Sequence, residues 1–243
     1  MVQILNHITR IIAGVTVPDT PLINASIALA QQSLPTNGFN HVMRSWLNGQ
    51  AIINHLPPKN RSMIDTEAFG VATILHDLGW AFNTSFVSQG RWFEVDGAEG
   101  AKDFIRSSAS AAEWDDHRIQ LVWDSIALHT NPNIAIFKQP EAVYTSAGTF
   151  AELIGPELAK QQFGDLITVN QTEWEAILDA YPRSQFRDYF FETLGHLCST
   201  KPQTTYDNFL RGIGDKFVPG YNTTGRLLVD FITSVPIPDT PDS

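Results

Sequence analysis

His76 and Asp77 stand side by side at the end of an apolar run, AFGVATILHDLGW. Taking two polar side chains out of water together is costly. A bound metal offsets that cost, because imidazole and carboxylate are both ligands of first-row ions. His41 lies 35 residues before His76, in FNHVMRSW, and His129 lies 52 residues after Asp77, in DSIALHTNP. Neighbours on an α-helix point about 100° apart, so an ion shared by His76 and Asp77 sits at the helix edge and needs donors from other helices. His41, on the preceding helix, is the natural one. A lone buried histidine is ordinarily a hydrogen-bonded core residue. The order His, His-Asp, His, read together, points to a metal site.

Two carboxylates follow the dyad in RWFEVDG. Glu94 sits among aromatics that raise a carboxyl pKa on burial, which suits a general acid or base; a surface glutamate beside Arg91 is the equal alternative. Asp96 has a helix-capping explanation, with Glu99 as its reciprocal partner, and a second role in orienting a ligand or water. His129 falls near a helix C-terminus, where an imidazolium suits the dipole, or in an active site. Arg44 lies three residues after His41 and so near its helix face, where it orients substrate or pairs with an acid. His7, His55, His117 and His196 have no ligand company, and Cys198 reads as core. GxSxG, HExxH, GxxxxGK[ST] and GxGxxG are all absent. Trp80, Phe82, Phe86, Trp92 and Phe93 flank the dyad and can wall a small pocket.

The elements that must position these residues read as helices. Asp19-Thr20-Pro21 starts one, with Pro at the first turn. Asn37 or Asn40 opens a second, through about His55. Ser62 to Asp65 has capping-box spacing before a helix running to Gly79. Asp96 to Glu99 opens the next, and Asp115 or Asp116 opens one that stops at Asn131-Pro132. Pro140-Glu141 opens a helix stopping at Gly155-Pro156, Asn170 to Glu173 another, and Arg183 to about Thr200 a long amphipathic one. Two shorter helices follow. Few stretches alternate with period two; VYTSAGTF is the best strand candidate. The expectation is an all-α fold.

Bulk properties narrow the function. With 243 residues the chain fits one domain with a C-terminal extension: a core over about 20–200, helices over 201–235 and a solvated tail over 236–243. A net charge of −10 argues against nucleic-acid backbones and anionic membranes as partners. No run approaches the ~18 apolar residues of a membrane helix, and the N-terminus lacks signal-peptide features. A single cysteine fits a reducing, cytoplasmic compartment. A homo-oligomer is compatible with all of this.

NHVMRSW, ILHDLGW, RWFEVDGAEGAKDF, IALHT and TTYDNFLRGIGDKFVPGY together resemble the HD-domain superfamily, and within it the cyanamide-hydratase-like branch common in fungi. The resemblance extends from about residue 17 to Tyr221. It implies a compact helical bundle with one divalent metal between helices, zinc in the hydratases, held by His41, His76, Asp77 and a later acid. SAGTFAELIG resembles a family segment reading roughly SAGxxADxxG, which places Glu152 at the fourth position, where the family has Asp. HD phosphohydrolases often carry a Lys shortly after the dyad; in this chain no Lys or Arg lies between Asp77 and Arg91.

The activity expected from this reading is hydration or hydrolysis of a small neutral molecule, cyanamide or another nitrile, by metal-bound hydroxide. Glu94 or His129 would move the proton and Asp96 would orient a ligand or water. Zinc is the first choice of ion, with Fe or Mn as alternatives. The rival readings are a phosphohydrolase of a nucleotide or small phosphoester, and a pseudoenzyme whose site has drifted at Glu152.

Overall fold

Pro21 opens the first helix because its fixed φ suits the first turn and Thr20 caps it, the Thr20 hydroxyl accepting from Ile23 N–H at 3.2 Å. In the computed structural model, which describes residues 8–236, a side-chain cap or a Pro in the first turn opens eight of the thirteen α-helices. Among the described residues the fold is all-α apart from one hairpin. Contact density divides it into two units, residues 8–88 with 93–185, and residues 89–92 with 186–236.

The first unit opens with β1 (Thr9–Ile12) and β2 (Val15–Pro18), antiparallel with Thr9 opposite Pro18 and Ile12 opposite Val15. Ala13 and Gly14 both have positive φ, 48° and 80°, the two-residue turn whose twist suits a hairpin. Sequence reading passes over this hairpin. Then come α1 (Pro21–Ser33), α2 (Thr36–His55), α3 (Pro58–Arg61) and α4 (Thr66–Leu75). Next are α5 (Phe93–Ser107), α6 (Asp116–Ala127), α7 (Pro132–Ala135) and α8 (Pro140–Ile154). The unit closes with α9 (Pro156–Phe163) and α10 (Gln171–Ala180). The strand candidate VYTSAGTF lies inside α8.

α2 is the central helix, buried from His41 through Ile53. It crosses α8 closely because both helices are small there. A Cβ on Gly148 would lie 2.5 Å from Ser45 O and 2.8 Å from Gly49 N. Trp46, Phe69, Ile52 and Ile74 fill the core between α2 and α4.

Several expected helix ends move. Pro35, not Asn37 or Asn40, precedes α2. Asp65 alone caps α4, accepting from Ala68 N–H, while the Ser62 hydroxyl donates to Lys59 O. The helix stops at Leu75 and not at Gly79; a 3-10 turn follows over Leu78–Trp80. Asp96 does not cap α5, which already begins at Phe93. The capping box at Asn170 and Glu173 is present as expected, and Gly155, at φ 83°, ends α8.

The second unit holds α11 (Phe186–Thr200), α12 (Leu210–Phe217) and α13 (Leu228–Ser234). α11 starts at Phe186 and not at Arg183, after Gln185 at φ 54°. Phe191 and Phe217 meet at 4.9 Å between ring centroids. Buried Lys201 donates to Arg91 O at 2.9 Å, and Gln203 donates to Gln89 O. These bonds tie residues 89–92 into this unit. Of the tail expected over 236–243, residues 237–243 lie outside the described residues, as does His7.

Candidate metal centre

His41 lies in the second turn of α2. His76 is the C-terminal cap of α4, at φ −60° and ψ −29°, and Asp77 leaves the helix at φ −104° and ψ 23°. The early stop at Leu75 matters. Inside a helix, neighbouring side chains diverge by about 100°; past its end the backbone turns, and both members of the dyad reach one point. His41 Nε2 and His76 Nε2 are 3.3 Å apart. Asp77 Oδ2 lies 3.3 Å from the first and 3.2 Å from the second. Donors of a tetrahedral ion with bonds of about 2.0–2.1 Å are separated by roughly 3.3–3.4 Å. The three atoms therefore have the spacing of one face of a coordination tetrahedron. They can hold a metal ion.

Each imidazole is oriented from behind. His76 Nδ1 donates to Thr73 O at 2.7 Å, and His129 Nδ1 donates to Ile126 O at 2.7 Å. A carbonyl only accepts, so both Nδ1 atoms carry the proton and both Nε2 atoms present a lone pair. His41 Nδ1 is 2.9 Å from Glu152 Oε2, which fixes the same tautomer. His129 Nε2 comes to 3.7 Å from Asp77 Oδ1, and the His76 and His129 rings meet edge to face at 4.6 Å. The Ser146 hydroxyl donates to His129 O at 2.9 Å and holds that residue to α8.

Electrostatics make a cation welcome. His41, His76, Asp77 and His129 are 1%, 0%, 0% and 2% exposed. Asp77 is fully buried, with the His41 and His76 ring nitrogens 3.3 and 3.2 Å from its Oδ2, so its charge has to be matched by those rings or by an ion. Glu152, in contrast, is neutralised. Its Oε1 accepts from Arg44 Nε at 2.6 Å and has Arg183 Nε at 3.4 Å. Burial alone would depress the His41 pKa, yet the Glu152 and Asp77 carboxylates outweigh it and raise the value to about 9. Burial would raise Asp77, but His76 and His41 hold it below the usual carboxylate range. For Glu152 burial is likewise outweighed, by His41, Arg44 and Arg183, and the value falls to about 2. Burial, then the charge of His76, lowers His129 to about 3, so its ring is neutral at pH 7. His41 is thus the ring at which positive charge, a proton or an ion, is favoured.

The structure brings together His41, His76 and Asp77, with His129 beside them. It places Glu152 elsewhere: its carboxylate bonds the opposite nitrogen of the His41 ring, away from the three donor atoms. Arg44 turns to Glu152 and to the carbonyls of Tyr181 and Pro182, at 2.9 and 3.3 Å. Buried Glu94 accepts the Thr130 hydroxyl at 2.7 Å, next to His129. Buried Asp96 accepts Ser88 N–H at 3.0 Å within the first turn of α5. Of the flanking aromatics, Trp80 stacks on His41 with centroids 5.7 Å apart, and Phe93 meets His129 edge-on at 5.8 Å. Phe86 packs over Gly100, and Trp92 is 42% exposed. His55 pairs with Glu173 at 2.8 Å, while His117 and His196 are exposed. Sequence reading misses Arg183, which arrives from the segment after α10, and the carbonyls of Thr73 and Ile126. No side-chain pattern signals a carbonyl partner.

No protein-family model matches the sequence, and no curated protein matches it. A functional assignment therefore rests on the residues and their geometry. Among the described residues no helix is long and apolar enough to cross a membrane.

Proposed function

We propose that this chain is a metal-dependent hydratase or hydrolase of a small neutral molecule, with cyanamide or a related nitrile as substrate and an HD-type metal centre. One observation carries the reading: His41 Nε2, His76 Nε2 and Asp77 Oδ2 lie 3.2–3.3 Å from one another in a buried cluster. Zinc fits the nitrogen and oxygen donors and the tetrahedral spacing; Fe and Mn are the alternatives. Such an ion, held by His41, His76 and Asp77, would supply Lewis-acid activation of water near neutral pH.

The chain's own groups do the rest. Hydration adds one water across C≡N, with oxygen going to carbon and both hydrogens to the nitrogen side, and nothing leaves. A proton must therefore be delivered to nitrogen. His129 presents Nε2 toward Asp77 as a neutral acceptor, which can take the proton that the attacking water gives up and pass it to nitrogen; Glu94 positions its neighbour Thr130. Near-complete burial of the donors favours a small substrate. Both nearby guanidinium groups, on Arg44 and Arg183, face Glu152, so the positive charge that a phosphoester would seek is already matched.

The test is elemental analysis of the purified full chain, followed by a substrate panel. About one transition metal per chain is expected, with urea formed from cyanamide, and Asp77→Asn should remove both. Metal-free wild type, or phosphate release from a nucleotide monophosphate with no urea from cyanamide, would sink the proposal.

A further inference from the structure

Glu152 occupies the point in the chain where an acidic ligand is expected, yet its contacts are those of a different part. An imidazole bound to an ion through one nitrogen turns its other nitrogen away from that ion. Glu152 Oε2 sits at that other nitrogen of His41, 2.9 Å from Nδ1, while His41 Nε2 faces His76 and Asp77. The remaining oxygen, Oε1, is taken up by Arg44 and faces Arg183. Glu152 is fully buried and charge-matched, so it needs no ion. Arg44 is anchored in turn on the carbonyls of Tyr181 and Pro182. The result is a chain of contacts from backbone to guanidinium to carboxylate to imidazole, ending at the donor face.

We propose that Glu152 is a positioning residue for the metal centre, and not a donor to it. It fixes the tautomer and direction of His41, and Arg44 fixes Glu152. The protein then supplies three donors, His41, His76 and Asp77, and the remaining coordination positions stay open to exchangeable ligands. This role rests on the proposal that the site holds a metal. It also gives a reason for glutamate: the side chain is long enough to span from α8 to the far side of the ring, and aspartate, one methylene shorter, is not.

A carboxylate behind a metal-bound histidine typically tunes affinity about 10–100-fold, whereas loss of a donor dismantles the site. The experiment titrates metal-depleted full chains with zinc against a chromophoric chelator, and with Co²⁺ as a spectroscopic probe. Wild type should take up one ion. Glu152→Gln should still take up one, with the Co²⁺ visible bands unchanged in position and intensity and with affinity lowered about 10–100-fold. Glu152→Asp should weaken binding similarly, because the shorter carboxylate no longer reaches Nδ1. A donor role gives the opposite pattern: Asp retains or tightens binding, and Gln alters the Co²⁺ spectrum. Either of those results overturns the proposal. A measurement on wild type keeps the test independent of how the variants fold. In the zinc-loaded, ¹⁵N-histidine-labelled chain, His41 should show a proton on Nδ1 that exchanges slowly with solvent; a rapidly exchanging one overturns the proposal. Wild type that binds neither zinc nor Co²⁺ removes the metal site itself. Tight wild-type binding with the donor pattern at position 152 removes only the positioning role of Glu152.

Discussion

His129 and His41 are both buried imidazoles within reach of Asp77, yet their surroundings divide them. His41 lies between two carboxylates, which lift its pKa to about 9; for His129 burial, and then the His76 ring beside it, outweigh the Ile126 carbonyl and lower the value to about 3. The first is built to carry positive charge and the second to stay neutral, a pattern of separated acid–base roles. His129 also stands 3.7 Å from Asp77 Oδ1, outside the group of three donor atoms that lie close to one another. His129→Ala is therefore expected to keep one metal per chain while lowering kcat by at least about 10²-fold, the lower end for a proton-transfer group. Measuring metal content and steady-state kinetics on one preparation decides it. Loss of the ion together with activity would make His129 a ligand and refute the shuttle role.

At the scale of elements, the site depends on how closely α2 and α8 cross, since α2 carries His41 and α8 carries Glu152 one turn from Gly148. A methyl at Gly148 would meet backbone atoms, Ser45 O at 2.5 Å and Gly49 N at 2.8 Å, and backbone does not swing aside. Gly148→Ala is expected to lower stability by about 1–3 kcal/mol through overpacking, against a gain of at most ~1 kcal/mol in helix propensity. It should also weaken metal binding, because parting the helices pulls Glu152 from His41. Urea unfolding with and without zinc measures both, and a variant at least as stable as wild type that binds zinc equally well would contradict the account. The same scale shows what is legible in the sequence. Thr20-Pro21, Asp115, Pro140 to Gly155 and Asn170 to Glu173 mark helix ends with local chemistry that nothing overrides, and the all-α class follows from them. His41, His76 and Asp77 are legible as a group because buried polar residues at those spacings lack a simpler purpose. The rest is set by tertiary structure. Asp96 has a capping signature, but α5 starts three residues earlier and takes the carboxylate inside, where it bonds Ser88. Glu152 reads as a donor only through the proposed HD-domain resemblance, and only the placement of Arg44 and Arg183 shows its carboxylate to be already engaged.

For the molecule as a whole, these buried groups make stability a function of pH, and they do so with opposite signs. In the metal-free chain His41 has its pKa raised from 6.5 to about 9, so its contribution is complete below pH 6.5 and is lost as pH rises through 9. His129 is lowered from 6.5 to about 3; its contribution is complete above pH 6.5 and fades as pH falls toward 3. Glu152, lowered from 4.5 to about 2, adds a further loss between those values. Burial raises the Cys198 thiol and the Tyr144 phenol, and these contribute only on the alkaline side of their ordinary 9 and 10. The metal-free chain should therefore be most stable near pH 6.5, with a decline between 6.5 and 9 assigned to His41. Zinc changes the shape of that curve. An ion held at His41 would take the place of the proton that the ring loses on the alkaline side, while on the acid side protons and ion would compete for the same donors. Zinc should flatten the limb from pH 6.5 to 9 and steepen the limb below 6.5. Urea midpoints recorded across pH 4–9.5, in chelator and in excess zinc, test this directly. A metal-free chain whose midpoint holds level or climbs from pH 6.5 to 9 would show that the carboxylates around His41 do not favour positive charge there, and the electrostatic case for a cation at this site would fail with it.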